Sequence, residues 1–185
     1  GAVIILLGLS VMLLAIRFVI RSVITLILPE NSADLVDLVY EKRRLKSGPV
    51  ITAIGGGHGL SNMLRGLKLY TENLSAIVTV ADDGGGSGML RQDLGMPPPG
   101  DIRNCLLALA NTSSMMRDVL NYRFTEGSFK GQNFGNLFLL TLNQICGSFD
   151  RAVASMNEIL AVTGRVLPVT NTNINLRARF EDGSI

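Results

Sequence analysis

Two glycine-rich stretches hold most of the residues in this chain that could do chemistry. The first is GGGHGLS, in which Gly55, Gly56, Gly57 and Gly59 surround His58. Glycine lets a ligand reach backbone N–H groups and tolerates φ > 0. A strand-like run precedes the turn and a helix-like run follows it. Its N–H groups therefore stand at the positive end of a helix dipole, where phosphates bind. The spacing is not the dinucleotide fingerprint, because Leu60 stands where the third glycine would be. It is not a P-loop, because no Gly-Lys-Ser follows. A merely tight turn is the plain alternative. His58 can donate to a phosphate or serve only as a surface loop residue. Lacking a partner acid or nucleophile, it is not read as catalytic.

The second stretch is ADDGGGSGMLRQDLGMPPPGDIRN. Asp82 and Asp83 leave a strand-like run side by side, and Gly84, Gly85 and Ser87 follow. In an open α/β sheet, ligands bind outside the carboxyl ends of the strands. Asp82 stands where a dinucleotide-binding fold places the acid that grips ribose hydroxyls. The pair could instead hold Mg²⁺ against phosphates, and a helix cap with a solvated turn is the third reading. PPPGDIRN reads as a helix start capped by Gly100 or Asp101. Arg103 and Asn104 then lie in the first turn, where side chains can join backbone N–H groups around an anion. Asn133 and Asn136 flank Gly135 at a further helix start, a second polar wall for the same cleft. These residues are read as ligand-binding, none as catalytic. No cofactor is required, and Mg²⁺ on Asp82 and Asp83 is the one metal this loop would take.

The elements that must position these residues follow from pattern. VITAI and LSAIVTV read as buried strands around a helix from about Leu60 to Tyr70. Helical patterns follow in DIRNCLLALAN, MMRDVLNYRF, NLFLLTLNQIC and FDRAVASMNEILAV, and later strands in RVLPVT and INLRARF. Strands alternating with helices predict an α/β fold with a largely parallel sheet. The chain has 185 residues and a net charge of +2, which argues against a dedicated nucleic-acid binder. Aromatics are 5% of the chain and Trp is absent, so base-stacking platforms are not expected either. Cys105 and Cys146 lie in apolar helical surroundings, without CxxC or metal spacing, and read as small core residues of a reducing compartment.

The N-terminal part differs. From Gly1 to Ile16 no charge interrupts the apolar run, and Arg17 and Arg21 follow on one helical face. A span of about 20 residues crosses a bilayer, so residues 1–28 read as a transmembrane or membrane-interface helix. A signal peptide would show an A-x-A-like cleavage site, which is lacking; a buried core helix is the remaining alternative. Residues 29–48 read as an amphipathic basic connector. Its Lys42, Arg43, Arg44 and Lys46 place the remainder in the cytoplasm by the positive-inside rule. That cluster could touch anionic lipid or be a solvated helix end. Residues 49–185 form the α/β domain. The chain opens inside an apolar run and stops after a strand-like stretch at an Asp-Gly turn signal, so it is expected to be a fragment.

The strings IGGGHGLSNMLRGLK, AIVTVADDGGGSGMLRQDLGMPPPGDIRNCLLALA, NFGNLFL and ILAVTGRVLPVT resemble the YvcK family. These are the bacterial gluconeogenesis factors, within the broader group that includes the 2-phospho-L-lactate transferase CofD. The likeness runs from about Pro49 to the end. It implies a Rossmann-like core that binds a UDP-sugar, UDP-N-acetylglucosamine in studied relatives, without a demonstrated reaction. It further implies a part in cell-wall precursor balance and cell shape, and a homo-oligomer is one possible assembly. The family pattern has Thr where His58 stands, Ser at Gly86, Arg at Met89, and His-Ser at Gln132-Asn133. A CofD-like, Mg²⁺-dependent nucleotidyl or phosphoryl transferase is the alternative, and an NAD-binding oxidoreductase is disfavoured by the missing third glycine.

Overall fold

The computed structural model describes residues 1–27, 35–81, 96–172, 174 and 179–181. It divides into two compact units, Gly1–Arg44 and Leu45–Ile185. The first unit contains α1 (Ala2–Ile27) and the start of α2 (Leu35–Lys46). Between Val3 and Ser22, α1 has a mean hydropathy of 2.8, and none of that stretch is buried. It is long and apolar enough to cross a membrane.

In the second unit, β1 (Ile51–Gly55), α3 (Gly57–Leu67) and β2 (Leu74–Val78) form a βαβ unit. After four further helices among the described residues, β3 (Arg165–Pro168) joins the other side of β2. The sheet is parallel throughout, in the order β1-β2-β3. Register puts Ala53, Ala76 and Val166 side by side on one face, and all three are buried. The opposite face carries Ile54, Ile77 and Leu167 in register; Ile54 and Leu167 are exposed. Pro168 closes β3, an edge strand of the sheet among the described residues, where a missing N–H does least harm.

Helix α4 (Gly100–Leu109) is the centre of the core. Ile102, Cys105, Leu106, Leu107, Ala108 and Leu109 are all buried. A short helix apolar all round needs neighbours on every side, and α4 packs against α3, β2, β3, α6 (Phe134–Cys146) and α7 (Phe149–Ile159). Burial pushes the Cys105 thiol up to about 12, with the Asp101 charge adding to it. Cys105 is therefore an inert core residue, as expected. Helix α5 (Ser114–Asn121) starts on Ser113, whose hydroxyl accepts from the Met116 N–H at 3.2 Å.

Three boundaries differ from the pattern reading. Helix α3 begins at Gly57, so Gly57 and Gly59 sit inside its first turn, and it stops at Leu67, where successive tight turns carry the chain to Thr71. Helix α4 begins at Gly100 after Pro99, so neither Gly100 nor Asp101 is the cap. Helix α5 ends at Asn121, which frees Arg123 from the helix that MMRDVLNYRF suggested. Most of INLRARF lies outside the described residues, so its strand reading is not addressed.

Candidate functional site

The glycine turn sits at the carboxyl end of β1, and its glycines have different causes. A Cβ on Gly56 would collide with the Thr79 hydroxyl and come 2.9 Å from the Asp101 carboxylate. Gly56 is thus required by the protein's own packing, where the end of β2 and the first turn of α4 close on the turn. Gly57 has φ +65°, a conformation that disfavours any side chain and β-branched ones most. Gly59 has neither constraint: its φ is ordinary and a Cβ would meet nothing within 4 Å among the described residues. Gly55, the last residue of β1, would meet only ordinary contacts with Leu60. His58 is exposed, and its carbonyl accepts from the Ser61 hydroxyl at 3.1 Å. The first N–H groups of α3 have no intrahelical acceptor by construction, and the N-cap residue, Gly56, has no side chain to cap them.

The second wall is Arg103, in the first turn of α4. Its side chain runs past Gly135, where any Cβ would strike the Arg103 stem at 2.7 Å and the Leu120 carbonyl at 2.5 Å. Gly135 is what allows α6 to pack there. The guanidinium is buried. It donates to the Asn136 side-chain oxygen at 2.8 Å and to that of Asn104 at 2.9 Å, while Nε has no partner among the described residues. The one ion pair among those residues is Arg44–Glu41, so Arg103 is a desolvated cation with no ion-paired carboxylate among them. Burial, with Arg123 nearby, pushes its pKa down from the usual arginine range to about 10, and the Asp101 charge opposes this.

Arg123 is the residue the sequence reading missed. A short antiparallel bridge, Arg123 to Asn133, folds the 122–134 loop back on itself. There Arg123 donates to the Gly131 carbonyl at 2.7 Å. Two guanidiniums that repel one another at the same end of the sheet make a surface that favours an anion. No local pattern marks Arg123, because the bridge that places it is non-local. Thr79, at the end of β2, was likewise passed over.

The remaining candidates divide. Asn136 and Asn104 hold the Arg103 fork. Asn133 is engaged structurally: its oxygen accepts from the Asn136 N–H at 3.3 Å as the α6 cap, and its amide donates to the Asn121 carbonyl at 2.9 Å. Asp101 closes on the glycine turn. Asp82, Asp83, Gly84, Gly85 and Ser87 lie outside the described residues. Among the described residues no three of His, Cys, Asp and Glu gather as a metal site.

Known proteins are similar to this chain in sequence and fold. The family profile described as 2-phospho-L-lactate transferase CofD matches residues 51–185. A gluconeogenesis-factor relative from Clostridium acetobutylicum is 59% identical over 155 residues, which is 84% of this chain and 34% of that protein. The gluconeogenesis factor of Bacillus subtilis is 48% identical over 138 residues, 74% of this chain and 44% of its own. A crystal structure of a Bacillus halodurans protein superposes with a TM-score of 0.70 at 44% identity, covering 75% of this chain and 44% of that one. The chain thus spans between a third and a half of the length of these relatives. With the profile covering most of the chain and the parallel sheet matching a solved relative, the chain belongs to the CofD family, and within it to the gluconeogenesis factors.

Proposed function

We propose that this chain is the nucleotide-sugar-binding part of a membrane-tethered, cytoplasmic regulator of the gluconeogenesis-factor type. Its ligand is UDP-N-acetylglucosamine or a related UDP-sugar, and its output bears on cell-wall precursor balance and cell shape. The observation that carries the reading is Arg103. A buried guanidinium with no ion-paired carboxylate among the described residues, an unpartnered Nε and a second arginine beside it has the charge and donors that a diphosphate would satisfy. The uncapped first turn of α3 adds backbone N–H donors. Gly59 keeps that turn open. The ribose falls to Asp82 or Asp83, the residues that the two-loop pattern assigns to it. The apolar exposed helix α1 supports the tether.

Calorimetric titration of UDP-N-acetylglucosamine into the chain, with Mg²⁺ and then with EDTA, tests this. Saturable binding without turnover in both buffers supports the regulator. A strict Mg²⁺ requirement with product formation supports the second reading, a transferase, which the CofD profile favours. No binding in either buffer refutes both.

A further inference from the structure

The charges on α2 are sorted by face. At 3.6 residues per turn, Val39, Lys42, Arg43 and Lys46 fall on one stripe about 100° wide. Asp37, Glu41 and Arg44 fall on the opposite side. There Arg44 donates to Glu41 at 2.9 Å, so Glu41 and the fourth cation are occupied with one another. The cationic stripe keeps three charges with no acid among them, and Lys42, Arg43 and Lys46 are exposed. Val39, on the same stripe, is 58% exposed, and Tyr40 at its flank 68%. A helix serving only as a solvated spacer has no need to separate its charges in this way. One lying on an anionic surface does, because acids facing that surface would cancel the attraction.

Chain length supplies the second half of the argument. Only residues 28–34 separate α1 from α2. Fully extended, that link reaches roughly 28 Å. With α1 in the bilayer, α2 is confined near the headgroups, so a modest attraction suffices to dock it.

We infer that α2 lies along the membrane with its Lys42–Arg43–Lys46 face on anionic lipid headgroups and Val39 at the acyl boundary. This rests on the membrane-tether reading of α1. Each cation near an anionic leaflet multiplies the attraction about fivefold, so three give on the order of a hundredfold preference over a neutral leaflet, lost as salt screens it.

The full chain, carrying Val39→Cys with an environment-sensitive dye and Cys146→Ser, is reconstituted with vesicles of phosphatidylcholine alone or with about 30% phosphatidylglycerol. The chain should co-sediment with both. The dye should report an apolar setting and quenching by lipid-borne quencher only in the anionic vesicles. Lys42→Gln/Arg43→Gln/Lys46→Gln, or high salt, should abolish that signal without releasing the chain. Co-sedimentation with both but an equal dye signal in both, or docking unchanged in the glutamine variant, overturns the inference and leaves the tether standing. Failure to co-sediment with either vesicle overturns both.

Discussion

Arg103 allows the binding reading to be tested by stability rather than by activity. Its pKa falls from the usual arginine range to about 10, a shift worth roughly 3 kcal/mol. Because the folded pKa of this base is lowered, the penalty is fully present below pH 10. It fades as pH rises above 10, where the folded form sheds its proton first. At neutral pH the guanidinium therefore costs the ligand-free fold about 3 kcal/mol, against which it gives hydrogen bonds to Asn136 and Asn104. Arg103→Met removes the penalty and keeps much of the stem packing beside Gly135. It orphans one buried and one half-buried amide oxygen, at a cost of about 1–3 kcal/mol. The two effects nearly cancel. Urea unfolding of the ligand-free variant in mild detergent should lie within about 2 kcal/mol of wild type. A buried charge essential to structure loses about 3–5 kcal/mol when its partnership is broken. Wild type should gain about 2.7 kcal/mol from UDP-N-acetylglucosamine at a hundredfold excess over Kd, and the variant nothing. If the variant loses more than 3 kcal/mol without ligand, or is stabilised by UDP-sugar as wild type is, Arg103 is a structural staple and the reasoning fails.

Gly59→Ala should hold or raise stability by up to about 1 kcal/mol, since alanine is the better helix residue and its Cβ meets nothing within 4 Å, yet weaken UDP-sugar binding in calorimetry. Gly57→Val should cost at least about 1–2 kcal/mol through its φ of +65°, and any fraction that folds should not bind; normal binding would make the turn purely structural. Asp82→Asn and Asp83→Asn should each weaken UDP-sugar affinity by about 1–3 kcal/mol whether or not Mg²⁺ is present; an effect seen only with metal moves the protein toward the transferases. Removing residues 1–28 should shift the chain from the membrane to the soluble fraction of fractionated cells, and equal recovery of the whole and shortened forms in the soluble fraction would exclude the tether. A thiol reagent should modify Cys146 in the folded chain and leave Cys105, buried and pushed up to about 12, until unfolding.

The sheet was legible because its signals are local. LSAIV alternates buried and half-buried positions as a parallel strand between helices does, and DIRNCLLALAN carries enough apolar residues to specify the central helix. What was not legible is what depends on distant partners. The cause of Gly56 is Thr79 and Asp101, one at the end of the next strand and the other on α4. Asn133 was read as a ligand residue from its place beside Gly135, but a helix cap and a ligand wall call for the same residue type at the same position. Arg123 gave no signal, because only the bridge to Asn133 brings it to the site. Helix α3 was begun too late because glycines argue against a helix by propensity, whereas here they occupy its first turn.

The case for a ligand at this end of the sheet rests on two features that the fold does not explain by itself. Gly56 and Gly57 are needed by packing and by backbone geometry, so they say nothing about a ligand. Among the described residues neither packing nor backbone geometry requires Gly59, and alanine there would be better for the helix. Among the described residues Arg103 has no ion-paired carboxylate, at a cost of roughly 3 kcal/mol, although an apolar residue beside Gly135 would pack with no charge to desolvate. One is open space at the backbone and the other a cation only partly offset by Asp101, and the two lie on different elements. Asp101, which closes on the glycine turn from the same first turn of α4, connects them. An anion that approaches the first turn of α3 and meets Arg103 accounts for both, whereas a purely structural explanation needs a separate cause for each.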